Sequence, residues 1–224
     1  MVLVGQPDFG QTTLIALVWG ALFFMAGMRF IWVIGLTGVA AGGLIGATIM
    51  IPHVAARIKR FLDPASGDTF QVDTAVESFM RGGWFGRGPG EGTIKRVLPD
   101  SHADFVFAVA AEEFGIVLCL ALVALFAFIV LRALTNAMRN TDPFSRFATA
   151  GLAILFGTQS AINMAVNLAL IPAKGMTLPF ISYGGSSIIS LAYGTGMMLA
   201  LMRERPNTEP FVAAKGLVPA GSPA

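Results

Sequence analysis

Five apolar runs decide what this chain can become: residues 12–28, 31–51, 105–131, 147–170 and 178–202. A helix crossing the hydrocarbon core of a bilayer needs about 20 mostly apolar residues, with a range of roughly 17–25 and more if tilted. Backbone polar groups in lipid must be satisfied within the segment, so runs of this length predict helices. Charge agrees with this reading. Only 12% of the 224 residues are charged and 55% are hydrophobic, whereas a soluble domain carries about 25% charged residues. A soluble globule, a disordered chain and a disulfide scaffold are excluded, and the single cysteine, Cys119, has no internal partner. A net charge of +2 from 15 basic and 13 acidic residues is too balanced for nucleic acid. The expected fold is an all-α, polytopic membrane helix bundle of five spans. The membrane domain covers residues 1–206, and the Pro/Gly/Ala-rich stretch 207–224 reads as a disordered tail.

The connections are unequal. Two residues separate the first two runs, which predicts a tight antiparallel hairpin. Residues 52–104 form a long loop with seven basic and seven acidic residues, and such a loop in a compact domain is usually functional. Within it, 53–62 and 70–80 read as short interfacial helices, and Gly82–Gly92 carries six glycines and Pro89. Two spans separate this loop from Lys174, so both lie on one side and the 132–146 connection lies on the other. Counting basic residues gives seven on the tail side and eight on the loop side, which sets no orientation. No basic n-region follows Met1, so no cleavable signal peptide is expected.

Several polar residues sit where apolar ones are cheaper. Gly38, Gly42 and Gly46 form a small-residue stripe suited to close helix packing. Gln159, Asn163 and Asn167 line one face of the fourth run, and Ser182, Ser186 and Ser190 line one face of the fifth. Unpaired polar groups in hydrocarbon cost several kcal/mol, so these stripes serve either as interhelical glue or as the lining of a wet cavity. Glu112 and Glu113 lie about two turns into the third run. They are functional carboxylates, or they cap the membrane interface or pair with an arginine of the loop. Asp104, beside His102 at the mouth of that run, is either a base with a raised pKa or the helix N-cap. Lys174, in a Pro/Gly-bounded loop, either binds a phosphate or snorkels. His102 alone is weak evidence for a metal.

Four separated stretches then point to one family. Pro7-Asp8-Phe9-Gly10, Gly83-Trp84-Phe85-Gly86-Arg87-Gly88, Leu98–Phe105 with Glu112-Glu113, and Lys174–Ser187 ending in Ile-Ser-Tyr-Gly-Gly-Ser-Ser resemble the SEDS glycosyltransferases of shape, elongation, division and sporulation. Lys174-Gly175, the Gly88–Gly92 stretch and Lys95–Pro99 resemble the division-type members. The resemblance implies a ten-helix fold, of which this chain carries the C-terminal five. It implies polymerisation of lipid II, the undecaprenyl-pyrophosphate-linked disaccharide pentapeptide, at the division septum of the bacterial cytoplasmic (inner) membrane. It places the essential aspartate at Asp104 and the division-type lysine at Lys174; Ala103 stands where the family commonly has threonine. Asp104 is then the general base. Lys174, Arg87, Arg96 or a divalent cation such as Mg²⁺ offset the leaving pyrophosphate, with Ser182, Ser186, Asn163, Asn167 and Glu112 as further substrate contacts. Expected partners are a class B penicillin-binding transpeptidase and other division membrane proteins. The competing readings are a flippase for the same lipid and a scaffold without catalysis.

Overall fold

The computed structural model describes residues 9–50, 55–56, 70–172 and 175–203. Lys174, the tail 207–224 and most of the expected helix 53–62 lie outside the described residues. In order come α1 (Phe9–Met25), α2 (Phe30–Met50), α3 (Phe70–Gly82), a 3₁₀ turn (Ile94–Arg96), α4 (Val106–Arg139), α5 (Pro143–Asn167) and α6 (Gly185–Met202). No strand occurs among the described residues. Helices α4, α5 and α6 are long and apolar enough to cross a membrane, and α1 is a shorter apolar helix. The protein is an all-α, polytopic membrane bundle.

α4 departs most from expectation. Its 34 residues would measure ~51 Å as one rod, far more than the ~30 Å hydrocarbon core. It is two helices end to end. Gly115 sits at φ +81°, ψ −179°, a region that is essentially glycine's alone. The segment 116–139, ~36 Å long, is left to cross the membrane, and 106–114 becomes a half-helix on the loop side. Glu112 and Glu113, expected inside a span, precede the break and meet the loop instead.

A broken helix frees backbone groups that lipid cannot satisfy. Here a glycine-rich turn fills the gap. Ile116 N donates to Gly83 O at 2.9 Å and Val117 N to Trp84 O at 3.2 Å, while Arg87 N and Gly88 N donate to Glu112 O and Glu113 O, each at 3.0 Å. Contact is close enough that a Cβ at Gly82, Gly86 or Gly115 would collide with backbone across the interface. α3 approaches on its small face, burying Thr74, Ala75, Ser78 and Gly82.

α5 begins at Pro143, four residues before the expected run, because Asp142 caps it by accepting from Ser145 N at 2.9 Å. The core between α4 and α5 contains Phe107, Ala111, Cys119, Phe126, Phe156 and Met164. α6 starts at Gly185 and not at 178, since Pro179 and the left-handed Phe180 (φ +61°) keep 175–184 irregular. The stripe of Gly38, Gly42 and Gly46 has no described residue within 4 Å of its Cβ positions, so it packs no helix among the described residues.

Candidate functional site

The start of α4, the end of α5 and the 175–184 segment converge on Asp104. Its backbone is clamped. Asn163 Nδ2 and Asn167 Nδ2 both donate to Asp104 O at 2.9 Å. Asn167 Oδ1 accepts from Ala108 N at 3.0 Å, a first-turn amide shared with Phe105 O. One residue earlier, Ser182 Oγ donates to Ala103 O and accepts from Leu178 N. One residue before that, Tyr183 N donates to His102 O at 2.8 Å. Three consecutive carbonyls are thus held from α5 and from the 182–183 corner.

The carboxylate is left out of this clamp. The N-cap of α4 is Phe105, whose side chain makes no capping bond, so the capping alternative for Asp104 does not hold; the side-chain acceptor for the first turn comes from Asn167 on another helix. Asp104 is half-buried, and Gly175 lies against it: a Cβ there would sit 3.4 Å from Oδ2. Burial, and secondly the nearby Asp100 charge, raise the Asp104 pKa above the ordinary carboxylate value. Asp100 adopts φ +53°. His102 is exposed.

The other expected site residues divide into groups. Asn163, Asn167 and Ser182 are buried, at 1%, 0% and 3% exposure, and bind backbone around Asp104. The amide stripe is glue: Asn163 also reaches Met176 O at 2.6 Å, and Gln159 reaches Thr177 O at 3.1 Å. Glu112 is fully buried, and its Oε1 accepts from Thr93 N at 2.8 Å and Ile94 N at 3.1 Å, fastening the 3₁₀ turn to α4. Glu113 pairs with Lys95. Arg87 belongs to the turn that fills the helix break, where its Nε lies 3.4 Å from Arg81 O. Arg96 closes the 3₁₀ turn and is exposed, as is Ser186 on the first turn of α6. Lys174 lies outside the described residues and is the sequence neighbour of Gly175.

Two features had been missed. One is the break at Gly115, whose only signal was a glycine following two carboxylates in an apolar run. The other is the chain from Gln159 through Thr177 Oγ1 to Ser187 Oγ (2.6 Å), which ties the irregular segment to α5 and α6.

Comparison with known proteins gives the same direction. Residues 1–207 match the FtsW/RodA/SpoVE family, described as cell cycle proteins. A probable peptidoglycan glycosyltransferase FtsW of Caulobacter vibrioides is 53% identical over 205 residues, covering 92% of this chain and 53% of that protein. Its counterpart in Trichlorobacter lovleyi is 37% identical, covering 89% and 54%. The chain therefore spans about half the length of the curated relatives it matches. Among solved structures, a peptidoglycan synthase complex that coordinates polymerisation and crosslinking matches with a TM-score of 0.74 at 29% identity, over 92% of this chain and 58% of that one. The rod-shape-determining protein RodA of Thermus thermophilus matches with a TM-score of 0.60 at 27% identity, over 91% and 52%. With the family matched from residue 1 to 207 and the same fold in both solved structures, the chain belongs to the FtsW/RodA/SpoVE family.

Proposed function

We propose that this chain forms the catalytic-loop half of a peptidoglycan glycosyltransferase that polymerises lipid II at the division septum, with Asp104 as general base. One observation carries the reading: Asp104 is immobilised through its carbonyl while its carboxylate keeps clear of capping and ion pairing among the described residues. In the reaction, a sugar hydroxyl attacks an anomeric carbon and the carboxylate takes the hydroxyl proton. The C–O bond to the lipid pyrophosphate breaks, and single displacement inverts the anomeric configuration. A raised pKa makes Asp104 a stronger base than an ordinary surface aspartate once it is ionised.

Negative charge gathers on the departing pyrophosphate, and preorganised cations lower that cost. Lys174, beside Gly175 in sequence, is proposed for this role, with Arg87 and Arg96 of the loop as secondary candidates. Among the described residues no group of three His, Cys, Asp or Glu is gathered to hold a metal. Mg²⁺ is ordinarily held by one or two carboxylates plus substrate phosphates, and Asp100 with Asp104 is the pair this site offers. Bound there, the ion would neutralise pyrophosphate charge. The similarity to a peptidoglycan synthase complex supports a transpeptidase as partner. Placement in the bacterial inner membrane, with the 70–104 loop outside, belongs to the same proposal.

The test is lipid II polymerisation by purified full-length protein with its transpeptidase. Asp104→Asn should reduce the rate by about 10²–10⁴-fold, the usual contribution of acid–base catalysis, with lipid II binding retained. A rate within a few-fold of the parent would refute the assignment.

A further inference from the structure

At the end of the bundle opposite Asp104, an open recess of about 800 Å³ lies between the α4–α5 turn and the end of α6. Arg132, Thr135, Asn136 and Arg139 line it from α4, and Arg203 lines it from beyond α6. The α4 residues are spaced i, i+3, i+4, i+7, so they form one polar stripe along the last two turns of an otherwise apolar helix. A helix-terminal arginine ordinarily offsets the negative end of the helix dipole, which accounts for Arg139. It does not account for Arg132, ~10 Å back along the same face.

None of the three arginines makes an ion pair within 4 Å among the described residues. The carboxylate in the lining, Asp142, accepts hydrogen bonds from Ser145 N and Oγ. Arg146 points elsewhere, stacking on Phe147 at 4.8 Å. The lining is therefore cationic, with apolar Leu201 and Met202 as its flank.

Depth selects the ligand. Between the break at Gly115 and Arg132 lie only apolar residues, 116–131, which span ~24 Å. That run by itself covers most of the ~30 Å hydrocarbon core. Arg132 then stands at the boundary and Arg139 within the headgroup layer. We propose that this recess binds the phosphate headgroup of an anionic phospholipid, its acyl chains lying along the exposed apolar side chains of α4 and α6. Arginine suits that ligand, since its planar fork meets phosphate oxygens two at a time.

The experiment is native mass spectrometry of the full chain in detergent, titrated with phosphatidylglycerol or phosphatidylcholine. Phosphatidylglycerol should be retained preferentially, and each single substitution, R132Q, R139Q or R203Q, should weaken it about fivefold. The triple glutamine variant should fall to the phosphatidylcholine level, while R146Q, outside the recess, should match the parent. A triple lysine variant, which keeps the charge, should retain much of the preference and so separates charge loss from misfolding. Excess inorganic phosphate should leave the lipid adduct in place. Equal retention of both lipids, an unaffected triple glutamine variant, or displacement by inorganic phosphate alone would each overturn the proposal.

Discussion

Replacing Gly115 by alanine should cost this protein much of its stability, though it adds one methyl group. Two effects combine. At φ +81°, ψ −179° a residue with a Cβ is strained by about 1–3 kcal/mol. The methyl would also strike the backbone of Trp84 and Gly86, so the turn must withdraw. Withdrawal breaks the four backbone bonds linking 83–88 to Glu112, Glu113, Ile116 and Val117, each worth about 0.5–1.5 kcal/mol net. Together the loss is about 3–9 kcal/mol, against a total stability of about 5–15 kcal/mol for a typical domain. Thermal unfolding of detergent-solubilised protein measures it. Gly20→Ala is the control, because Gly20 lies inside α1 with nothing within 4 Å of its Cβ position; there alanine should gain up to about 1 kcal/mol. If Gly115→Ala melts within ~2 °C of the parent, less than 1 kcal/mol has been lost, and the account of the break is wrong.

Asp104→Asn should melt higher than the parent at neutral pH. A carboxyl whose folded pKa is raised contributes stability that is fully present below its unfolded pKa and lost as pH rises through the folded one. The two melting curves should therefore converge in acid, and a constant gap across pH would contradict the burial of the group. Polymerisation by the parent should rise with pH through the same raised pKa, whereas a flat acid limb would remove Asp104 as the titrating base. Asn167→Ala removes one of the two donors to the Asp104 carbonyl and one of the two acceptors of the Ala108 amide, and should cost about 1–3 kcal/mol for the two lost bonds. In polymerisation it should lower the rate without moving the pH midpoint, because it positions the base and does not titrate. Glu112→Gln keeps one oxygen for the Thr93 amide but turns an NH₂ group toward the Ile94 amide in place of the second oxygen. It should destabilise by a similar amount, and an unchanged melting temperature would show that the 3₁₀ turn is held by something else.

The sequence exposes the class of fold and singles out Asp104 as a candidate, but not what holds either. Apolar run length is a one-dimensional quantity, so the helices were visible; their ends were not. Asp142-Pro143 is a cap-and-N1 pair legible in principle, yet the hydropathy run began four residues later at Phe147. Gly115 is silent in the sequence because the strain that singles it out is a backbone angle, and its compensation lies about thirty residues earlier in the 83–88 turn. The same holds at Asp104. A favoured capping residue just before an apolar helix reads as a cap, and only the bond between Ala108 and Asn167, 59 residues apart, shows that the first turn has another acceptor.

That long-range bond also changes how the polar stripe on α5 bears on function. Three amides on one helical face fit a passage for a polar headgroup as readily as they fit glue, and a flippase would need them turned toward the moving lipid. Each is instead committed to backbone: Gln159 to Thr177, Asn163 to Asp104 and Met176, and Asn167 to Asp104 and Ala108. Breaking such bonds in a low-dielectric interior to admit a headgroup would leave carbonyls and amides unpaired at several kcal/mol in all. The stripe therefore gives transport no support. Two of the three amides meet at the Asp104 carbonyl, and they fix the backbone and leave the carboxylate outside the clamp. A rigid frame around one ionisable oxygen suits proton transfer at a fixed position, because geometry held within a fraction of an ångström is what a general base requires.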